Sequence, residues 1–239
     1  NPDRDKVIYQ FVTGFPVATA VAQTWNRRLC FDMGCAVGRE MEKYGVTLWL
    51  APAVNIIRNP LCGRNYEYYS EDPVLAGELA ACVIKGVQKM PGCGVTVKHF
   101  ACNNQETNRY YMSSELSERT LRDMYLKAFE IIVKEAEPKA LMTAYNKVNG
   151  VYAAENEHLL KDILRNEWGY KGLVMTDWLS VGEDRADEAK SIHAGIDLIM
   201  PGNRKNKRKL YKEYKAGLVS RADLQRAAKN VLNIIMEEN

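Results

Sequence analysis

The sequence predicts an α/β protein built on a (β/α)8 TIM-like barrel that is irregular or lacks its first strand. Short apolar runs alternate with amphipathic helical segments along the whole chain, and this alternation is typical of a mostly parallel sheet. The runs are apolar nearly throughout, as expected for strands covered on both faces. The 239 residues suit one large domain, but roughly five strands are recognisable where a closed barrel has eight.

An open doubly wound sheet is the alternative architecture. Sheets of that kind usually carry a glycine-rich first turn that binds phosphate, of the form G-x-G-x-x-G. No such turn occurs in the sequence, and its absence favours the barrel.

The first half of the chain contains two predicted helices and two predicted strands after a mixed segment over residues 1–16. Leu29, Met33 and Val37 recur at helical spacing, and Gly45 is suited to end their helix. A long polar and aromatic segment over residues 52–73 follows the first strand, and such loops are usually functional. The predicted elements are a helix over 17–44, a strand over 46–51, a helix over 74–89 and a strand over 94–97.

The second half continues the same alternation. Ser117 is typical of a helix start, and Pro201 stops the last apolar run. The predicted elements are a helix over 121–136, a strand over 140–144, a helix over 157–166, a strand over 173–176, a helix over 186–193, a strand over 195–200, and helices over 210–216 and 221–236.

The charge pattern argues against nucleic acid as a partner. The net charge of +3 is small for 239 residues. The one dense basic run, over residues 204–209, is short and lacks interleaved aromatic residues, which predicts a solvated loop rather than a polyanion site.

Composition also argues against a membrane, a metal and a cofactor. No apolar run approaches the ~20 residues of a membrane span, and the polar first residues lack the apolar core of a signal peptide. The six cysteines form no C-x-x-C pair, which predicts free buried thiols and a cytoplasmic location. The three histidines lie far apart without a ligand spacing, so no metal site is predicted.

Polar side chains follow four of the predicted strands. In a barrel the carboxyl ends of the strands share one rim, so these side chains are expected to converge on a single pocket. They comprise cations, amides, phenols, an indole and one carboxylate. The set is Asn55 and Arg64, then Lys98, His99 and Arg109, then Tyr145 and Asn146, and finally Asp177 and Trp178.

Each of these side chains also has a purely structural interpretation. Asp177 could cap the following helix, Lys98 could extend along apolar surface to solvent, and His99 could be a satisfied core residue. Arg64 could pair with Glu67 or Asp72, two acids of its own loop. Because four strands end in the same way, the joint functional interpretation is favoured.

The chemistry of the set suits a sugar. Hydroxyl groups need charged and forked hydrogen-bond partners, and the apolar face of a pyranose can rest on Trp178. Glycoside hydrolysis uses carboxylates around an oxocarbenium-like centre, and Asp177 is the candidate nucleophile. Cations at Lys98, His99 and Arg109 are expected to hold it ionised.

Four blocks of this sequence resemble glycoside hydrolase family 3, in its β-glucosidase-like branch. The similarity runs from about Gly14 to the final helix. Residues 101–103 read Ala-Cys-Asn where the N-acetylhexosaminidase branch of the family has Pro-Gly-His, and no Asp-Ser-His loop occurs, which argues against that branch. The four blocks are the long loop over 55–73, K-H-F-A-C-N-N-Q-E-T-N-R over 98–109, M-T-A-Y-N-K-V-N-G over 142–150 and G-L-V-M-T-D-W over 172–178.

The resemblance implies a retaining, exo-acting β-glycosidase that uses neither a metal nor another cofactor. Asp177 matches the nucleophile that forms the covalent glycosyl-enzyme, and Met142 matches a pocket-lining position. The expected substrate is a β-linked glucoside or a related oligosaccharide. The residues matching the subsite for the non-reducing sugar are Arg64, Lys98, His99, Arg109, Tyr145 and Trp178.

Two features of the family have no match in the sequence. The first is an Asp on the first barrel strand that binds sugar hydroxyls. The second is the acid/base Glu, which comes from a separate α/β sandwich domain. The chain is therefore predicted to be a partial N-terminal-type barrel domain over residues 1–239, with little turnover unless that sandwich domain is its partner. The loop acids Glu106, Glu183 and Asp184 are possible substitutes, and nothing in the sequence singles one out.

Two other functions remain open from the sequence. A class I aldolase would use Lys98 at a strand end to form a Schiff base with a carbonyl substrate. A sugar-binding barrel without catalysis would keep the polar rim and make no use of Asp177 as a nucleophile.

Overall fold

A four-stranded parallel sheet forms the centre of the computed structural model, which describes residues 10–236. Residues 1–9 of the predicted mixed segment lie outside this range. A second sheet contains three strands of two residues each, which the sequence analysis does not predict. The strands are β1 (Leu48–Trp49), β2 (Gly94–Phe100), β3 (Ser113–Ser114), β4 (Ala140–Thr143), β5 (Lys147–Val148), β6 (Val151–Tyr152) and β7 (Leu173–Met175).

Helices separate the strands of the central sheet. Two further helical stretches, Leu121–Tyr125 and His158–Glu167, have the wider turns of a π-helix. In the described part of the chain, no helix has the length and hydrophobicity that crossing a bilayer requires. The α-helices are α1 (Ala18–Ala22), α2 (Arg27–Tyr44), α3 (Pro73–Val87), α4 (Glu118–Thr120), α5 (Lys127–Ala136), α6 (Glu188–Ala194), α7 (Arg204–Lys215) and α8 (Arg221–Met236).

The central sheet has the strand order β1-β2-β4-β7, and all of its pairs are parallel. A parallel bridge between Met175 and Leu198 extends the sheet beyond β7. The predicted α/β class with a parallel sheet is therefore confirmed. Between residues 10 and 236 the sheet stays open, which is compatible with the predicted irregular barrel.

Each face of the sheet packs against different helices. On one face, α3 is buried over most of its surface because it lies between α2 and α5. On the other face, Met142 and Met175 join an apolar cluster that also contacts Val231 and Ile234 of α8. Both faces of the strands are thus covered, as their continuous apolar runs predict.

The predicted helix over 17–44 is two helices. Trp25 has a φ of 53°, which is incompatible with a continuing helix. The Asn26 side chain then accepts a hydrogen bond from the Leu29 N–H and starts α2 as its N-cap. The single-helix prediction was wrong because this capping residue lies between two apolar segments of similar periodicity.

The two outer predicted strands are shorter than expected. Val46 donates its N–H to the Met41 carbonyl at 2.9 Å, so it closes α2 instead of opening a strand. The predicted strand over 195–200 is reduced, within residues 10–236, to a bridge at Leu198, and the Asp197 carboxylate accepts the Val174 N–H at 2.9 Å. The strand predicted over 94–97 instead continues to Phe100.

The basic run over residues 204–209 is helical, and the loop prediction was wrong. Asn203 caps α7 by accepting from the Asn206 N–H at 2.9 Å. Lys209 forms ion pairs with Asp187 and Glu188, which fixes α7 beside α6. The prediction of free thiols is confirmed: the six cysteines are unbridged, and five of them are buried.

Candidate active site

Asp177 lies directly after β7, where the strand ends. Its Oδ1 accepts the Trp178 N–H at 2.6 Å, and its backbone carbonyl accepts the Ser180 hydroxyl at 3.0 Å. The residue is 7% exposed. Its Oδ2 is buried and has no hydrogen-bond partner among the described residues. The Trp178 N–H therefore fixes Oδ1, whereas no hydrogen bond of ordinary length from a described residue holds Oδ2.

His99 faces the free oxygen of Asp177. The distance from His99 Nε2 to Asp177 Oδ2 is 3.7 Å, and Nε2 also lacks a hydrogen-bond partner within residues 10–236. Asn55 holds the backbone of His99 by two hydrogen bonds of 2.9 Å, one to its N–H and one to its carbonyl. The Tyr68 hydroxyl lies 3.4 Å from Nδ1.

The imidazole of His99 is neutral. Burial lowers its pKa well below the ordinary value, and the positive charges of Arg64 and Lys98 lower it further. The expectation that His99 helps to ionise Asp177 as a cation was therefore wrong. Burial and the nearby positive charges of Arg64, Lys98 and Arg109 all disfavour the charged form of this imidazole.

Glu67 joins two of the predicted substrate-binding cations. Its Oε1 lies 2.5 Å from Arg64 Nε, and its Oε2 lies 3.3 Å from Lys98 Nζ. The three side chains are each between 15 and 19% exposed. The structural interpretation of Arg64, as a partner of Glu67, is thus correct, and the positive charge of Arg64 also lowers the pKa of Asp177.

Arg109 and Tyr145 form a stacked pair on the other side of the site. The guanidinium carbon of Arg109 lies 4.4 Å from the centre of the Tyr145 ring. Glu106 binds Arg109 Nη1 at 2.6 Å. Tyr110 packs edge-on against Tyr145 with ring centres 4.6 Å apart. The stack fixes the plane of the guanidinium.

Burial and the neighbouring groups shift the pKa of Asp177 in opposite directions. Burial raises its pKa above the ordinary value. The Trp178 N–H, the Tyr145 hydroxyl, and the cations Arg64 and Lys98 counteract this effect. The same carboxylate, together with burial, raises the pKa of Tyr145, which therefore stays protonated as a hydrogen-bond donor.

The structure brings most of the predicted site residues together through these contacts. Trp178 is half-exposed beside Asp177. Met142 is 1% exposed within the apolar cluster on β4 and β7, and its role in lining a sugar pocket stays a prediction. Asn146 is buried and donates to the Ala101 carbonyl at 3.1 Å, so it braces the loop after β2.

Three side chains of this region were missed as functional candidates in the sequence analysis. Glu67 appeared there only as a possible partner of Arg64, and Tyr68 and Tyr110 were given no role. Glu67 and Tyr68 belong to the long polar and aromatic loop over 52–73 that the sequence marks as functional, and this is the signal that could identify them. Tyr110 follows the block over 98–109 and carries no such signal. The conformation of a loop decides which of its side chains turns inward. The spacing of residues in the sequence does not predict this conformation.

One group of acidic residues in the described range has the proximity needed for a metal ion. It consists of Asp187, Glu188 and Glu213. Lys209 forms ion pairs with all three, so its ammonium group already lies where a metal ion would bind. The cluster fastens α6 to α7 and lies apart from the contacts of Asp177 described above.

Known proteins resemble this chain in sequence. The family model described as glycosyl hydrolase family 3 N terminal domain matches residues 4–234. Thermostable beta-glucosidase B from Acetivibrio thermocellus is 45% identical over 224 residues, which make up 93% of this chain and 29% of that protein. An exo-alpha-(1->6)-L-arabinopyranosidase from Bifidobacterium longum is 44% identical over 223 residues, with the same two coverages.

Known proteins also resemble it in structure. Beta-glucosidase 3B from Thermotoga neapolitana, solved in complex with alpha-D-glucose, superposes with a TM-score of 0.92 at 46% identity. The match covers 99% of this chain and 34% of that one, so the chain spans about a third of the length of these relatives. Since the family model covers nearly every residue and the fold agrees along the whole match, the chain belongs to glycosyl hydrolase family 3, within its N terminal domain.

Proposed function

We propose that this chain is the nucleophile-bearing domain of a retaining, exo-acting β-glycosidase of the β-glucosidase type. The observation that carries the proposal is the state of Asp177. One of its oxygens is fixed by the Trp178 N–H, and the other is buried, unbonded and faces a neutral histidine. A carboxylate held in this way is oriented for attack on a carbon atom, and it does not serve as a helix cap.

The reaction proceeds in two displacements. In the first, Asp177 Oδ2 attacks the anomeric carbon of the terminal sugar while a general acid protonates the departing glycosidic oxygen. The bond to the leaving group breaks, and a glycosyl-aspartate ester forms. In the second, the same acid/base group deprotonates a water molecule, which attacks the anomeric carbon and releases both the sugar and the Asp177 carboxylate.

The binding roles follow from the hydrogen-bonding capacity of the side chains. Arg64, Lys98 and Arg109 are donors only, and together they suit the lone pairs of several sugar hydroxyls. The half-exposed ring of Trp178 beside the nucleophile suits an apolar sugar face. These roles extend the positions that the resemblance implies.

The general acid is proposed to be a Glu of the α/β sandwich domain expected outside this chain. A retaining enzyme needs a second carboxyl group about 5–5.5 Å from the nucleophile. Within the chain, Glu106 is paired with Arg109, and Glu183 is 79% exposed and paired with Lys205. Asp184 is also exposed. None of these contacts favours one of the three as the acid, so the proposal assigns little turnover to the 239 residues alone.

The contacts of Lys98 oppose the aldolase alternative. A lysine that forms a Schiff base is activated by desolvation in an apolar pocket or by a neighbouring cation. Lys98 instead lies 3.3 Å from the carboxylate of Glu67, so its surroundings are those of an ion pair and not of an apolar pocket.

Covalent trapping tests the proposal. Incubation of the natural protein with a 2-fluoro-β-glucoside should add one glycosyl group, which peptide mass spectrometry should locate on Asp177. The matched variant Asp177→Asn should remain unlabelled. Labelling at another residue, or borohydride-trapped substrate on Lys98, would overturn the assignment.

The identity of the sugar needs a direct comparison of substrates. The relatives include beta-glucosidases and an arabinopyranosidase at nearly equal identity. We propose the glucoside as the preferred substrate because the solved relative holds glucose. Rates on an aryl β-glucoside and an aryl α-L-arabinopyranoside, measured with one preparation, would decide between the two.

A further inference from the structure

A buried polar network lies behind His99 and extends the proposed function. We infer that Tyr68 and Asn55 are positioning residues that keep the His99 proton on Nδ1, so that Nε2 presents a lone pair to a sugar hydroxyl beside Asp177. The inference rests on the proposed function for the identity of the ligand. The tautomer itself follows from the protein contacts alone.

The proton of the Tyr68 hydroxyl is engaged in a hydrogen bond that points away from His99. It donates to the Asn103 carbonyl at 3.0 Å and accepts from Asn103 Nδ2 at 2.9 Å. Nδ1 of His99 lies farther away, at 3.4 Å. Because a hydroxyl has one proton and the Asn103 carbonyl can only accept, the oxygen of Tyr68 turns a lone pair towards the imidazole.

The amide of Asn55 also presents a hydrogen-bond acceptor to Nδ1 of His99. Its Nδ2 donates to the His99 carbonyl, and its Oδ1 accepts the His99 N–H. These two bonds fix which end of the amide is oxygen, since the reversed amide would oppose donor to donor and acceptor to acceptor. The oxygen then lies 3.4 Å from Nδ1. Two acceptors face Nδ1, and the proton of the neutral ring therefore belongs there.

A proton on Nδ1 of His99 leaves Nε2, on the opposite side of the imidazole ring, without one. Nε2 becomes an acceptor, and it lies 3.7 Å from Asp177 Oδ2, which is also an acceptor. Neither atom has a partner in the part of the chain that the structure describes. Two buried lone pairs in one small space repel each other, and a hydroxyl proton from a ligand relieves both the repulsion and the missing hydrogen bond.

The inference makes the site selective for a ligand that donates at this position. A sugar hydroxyl can donate to Nε2, whereas an analogue that carries only an acceptor there would add a third lone pair. Sites that leave a buried polar group unpaired discriminate strongly against the analogue that causes it.

Neutron diffraction on crystals of the natural protein, exchanged into heavy water, tests the inference directly. A deuteron on Nδ1 of His99, with none on Nε2, is the expected result. A deuteron on Nε2 overturns the inference. Labelling of Asp177 by the 2-fluoro-β-glucoside is independent of the tautomer, so a failure of this inference is distinguishable from a failure of the proposed function.

A pair of variants supplies the kinetic test. Tyr68→Phe removes the oxygen that faces Nδ1, and kcat/KM on an aryl β-glucoside should fall about fivefold to tenfold, as expected for one lost hydrogen bond. Tyr69→Phe changes a neighbouring buried tyrosine and should leave kcat/KM within twofold. Equal effects of the two variants would overturn the role of Tyr68, and the neutron result on the unaltered protein remains decisive if Tyr68→Phe does not fold.

Discussion

The Glu67 carboxylate lies 3.3 Å from the ammonium group of Lys98, and its second oxygen is bound to Arg64. One acid thereby sets the positions of two cations that are proposed to bind the sugar. Without it, two long flexible side chains of like charge would share a partly buried space close to Asp177. Glu67 is thus expected to act through its partners, as a positioning residue.

The first prediction concerns Glu67→Gln, which keeps the shape of the side chain and removes its charge. We expect KM on an aryl β-glucoside to rise about tenfold, because a charged hydrogen bond of roughly 1.5–3 kcal/mol is weakened on each cation. The variant Glu71→Gln, at an exposed acid of the same loop, should leave KM unchanged. An unaltered KM in Glu67→Gln would show that the cations hold their positions by themselves.

The second prediction concerns the stability of Asp177→Asn. Burial raises the pKa of Asp177, so the folded state holds the proton more tightly than the unfolded state does. Stability is then lost as the pH rises from the unfolded value of about 3.9 through the folded value. The amide cannot ionise, and at pH 7 the variant should be more stable by about 1 kcal/mol.

The amide also fits the proposed tautomer of His99. Its oxygen can keep the Trp178 hydrogen bond, while its NH₂ group can donate to the Nε2 lone pair. Thermal unfolding of the natural protein and of Asp177→Asn at pH 7 measures the difference. A lower midpoint for the variant would contradict the sign of the pKa shift.

The third prediction concerns acid stability and His99. Its pKa is lowered by burial, so only the unfolded state takes up a proton as the pH falls below about 6.5. Between pH 7.5 and 5.5 this linkage should remove about 1.4 kcal/mol of stability. The variant His99→Gln should lose stability less steeply over the same interval, although it starts from a lower value.

His158 provides a control of opposite sign. Although partial burial lowers its pKa, hydrogen bonds to Glu118 and Asp162 raise it overall. Its stabilising contribution is present below the unfolded pKa and is lost as the pH rises through the folded pKa. Removing it in His158→Gln should therefore make the loss of stability in acid steeper. Equal pH profiles for both histidine variants would refute the assignment.

The part of the fold that could be predicted depended on local signals. Asp72 caps α3 and Pro73 occupies its first turn, so the predicted bounds of 74–89 agree closely with Pro73–Val87. The division between α1 and α2 could not be predicted, because apolar periodicity continues across Trp25. Two-residue strands such as β3 and β6 carry no periodicity, and they form only when distant segments meet.

The candidate site could likewise be predicted only in part. The sequence placed Asp177, His99 and Lys98 at strand ends, and parallel topology is sufficient to bring such residues together. It could not show that His99 is neutral, because burial of a side chain depends on every element packed around it. The inward turn of Glu67 and Tyr68 depends on the three-residue 3₁₀ turn Asn65–Glu67, where the Asn65 carbonyl accepts a hydrogen bond from the distant Thr19 hydroxyl at 2.6 Å.

The fourth prediction concerns Tyr110, whose ring lies between two arginines. The guanidinium carbon of Arg185 lies 4.1 Å from the ring centre, and that of Arg109 lies 5.3 Å from it. Tyr110→Leu removes both cation–π contacts, at about 0.5–1 kcal/mol each, and KM should rise threefold to tenfold. Tyr110→Phe keeps the ring and loses only the hydrogen bond between the hydroxyl and Arg109, so it should raise KM less than Tyr110→Leu does. If the two substitutions are equally damaging, the hydroxyl and not the ring is responsible.

The fifth prediction concerns the close contact between α2 and α3. A Cβ atom at Gly86 would lie 2.2 Å from the Phe31 carbonyl oxygen, and one at Gly34 would lie 2.1 Å from the Val83 carbonyl oxygen. Both atoms met are backbone, so only a separation of the helices could relieve the clash. Alanine in a helix interior is usually favoured over glycine by up to about 1 kcal/mol. At these two positions we expect the opposite sign, with a loss of about 3 kcal/mol or more.

The matched control for this contact is Gly14→Ala, where an added Cβ has no atom within 4 Å. It should leave the thermal midpoint unchanged, while Gly34→Ala and Gly86→Ala should each lower it by several degrees. Both alanines push α2 and α3 apart, and a single increase in the distance between the helices accommodates both methyl groups. The double variant should therefore lose less stability than the sum of the two single losses. Strict additivity would mean that each clash is relieved locally, and that the spacing of α2 and α3 is set elsewhere.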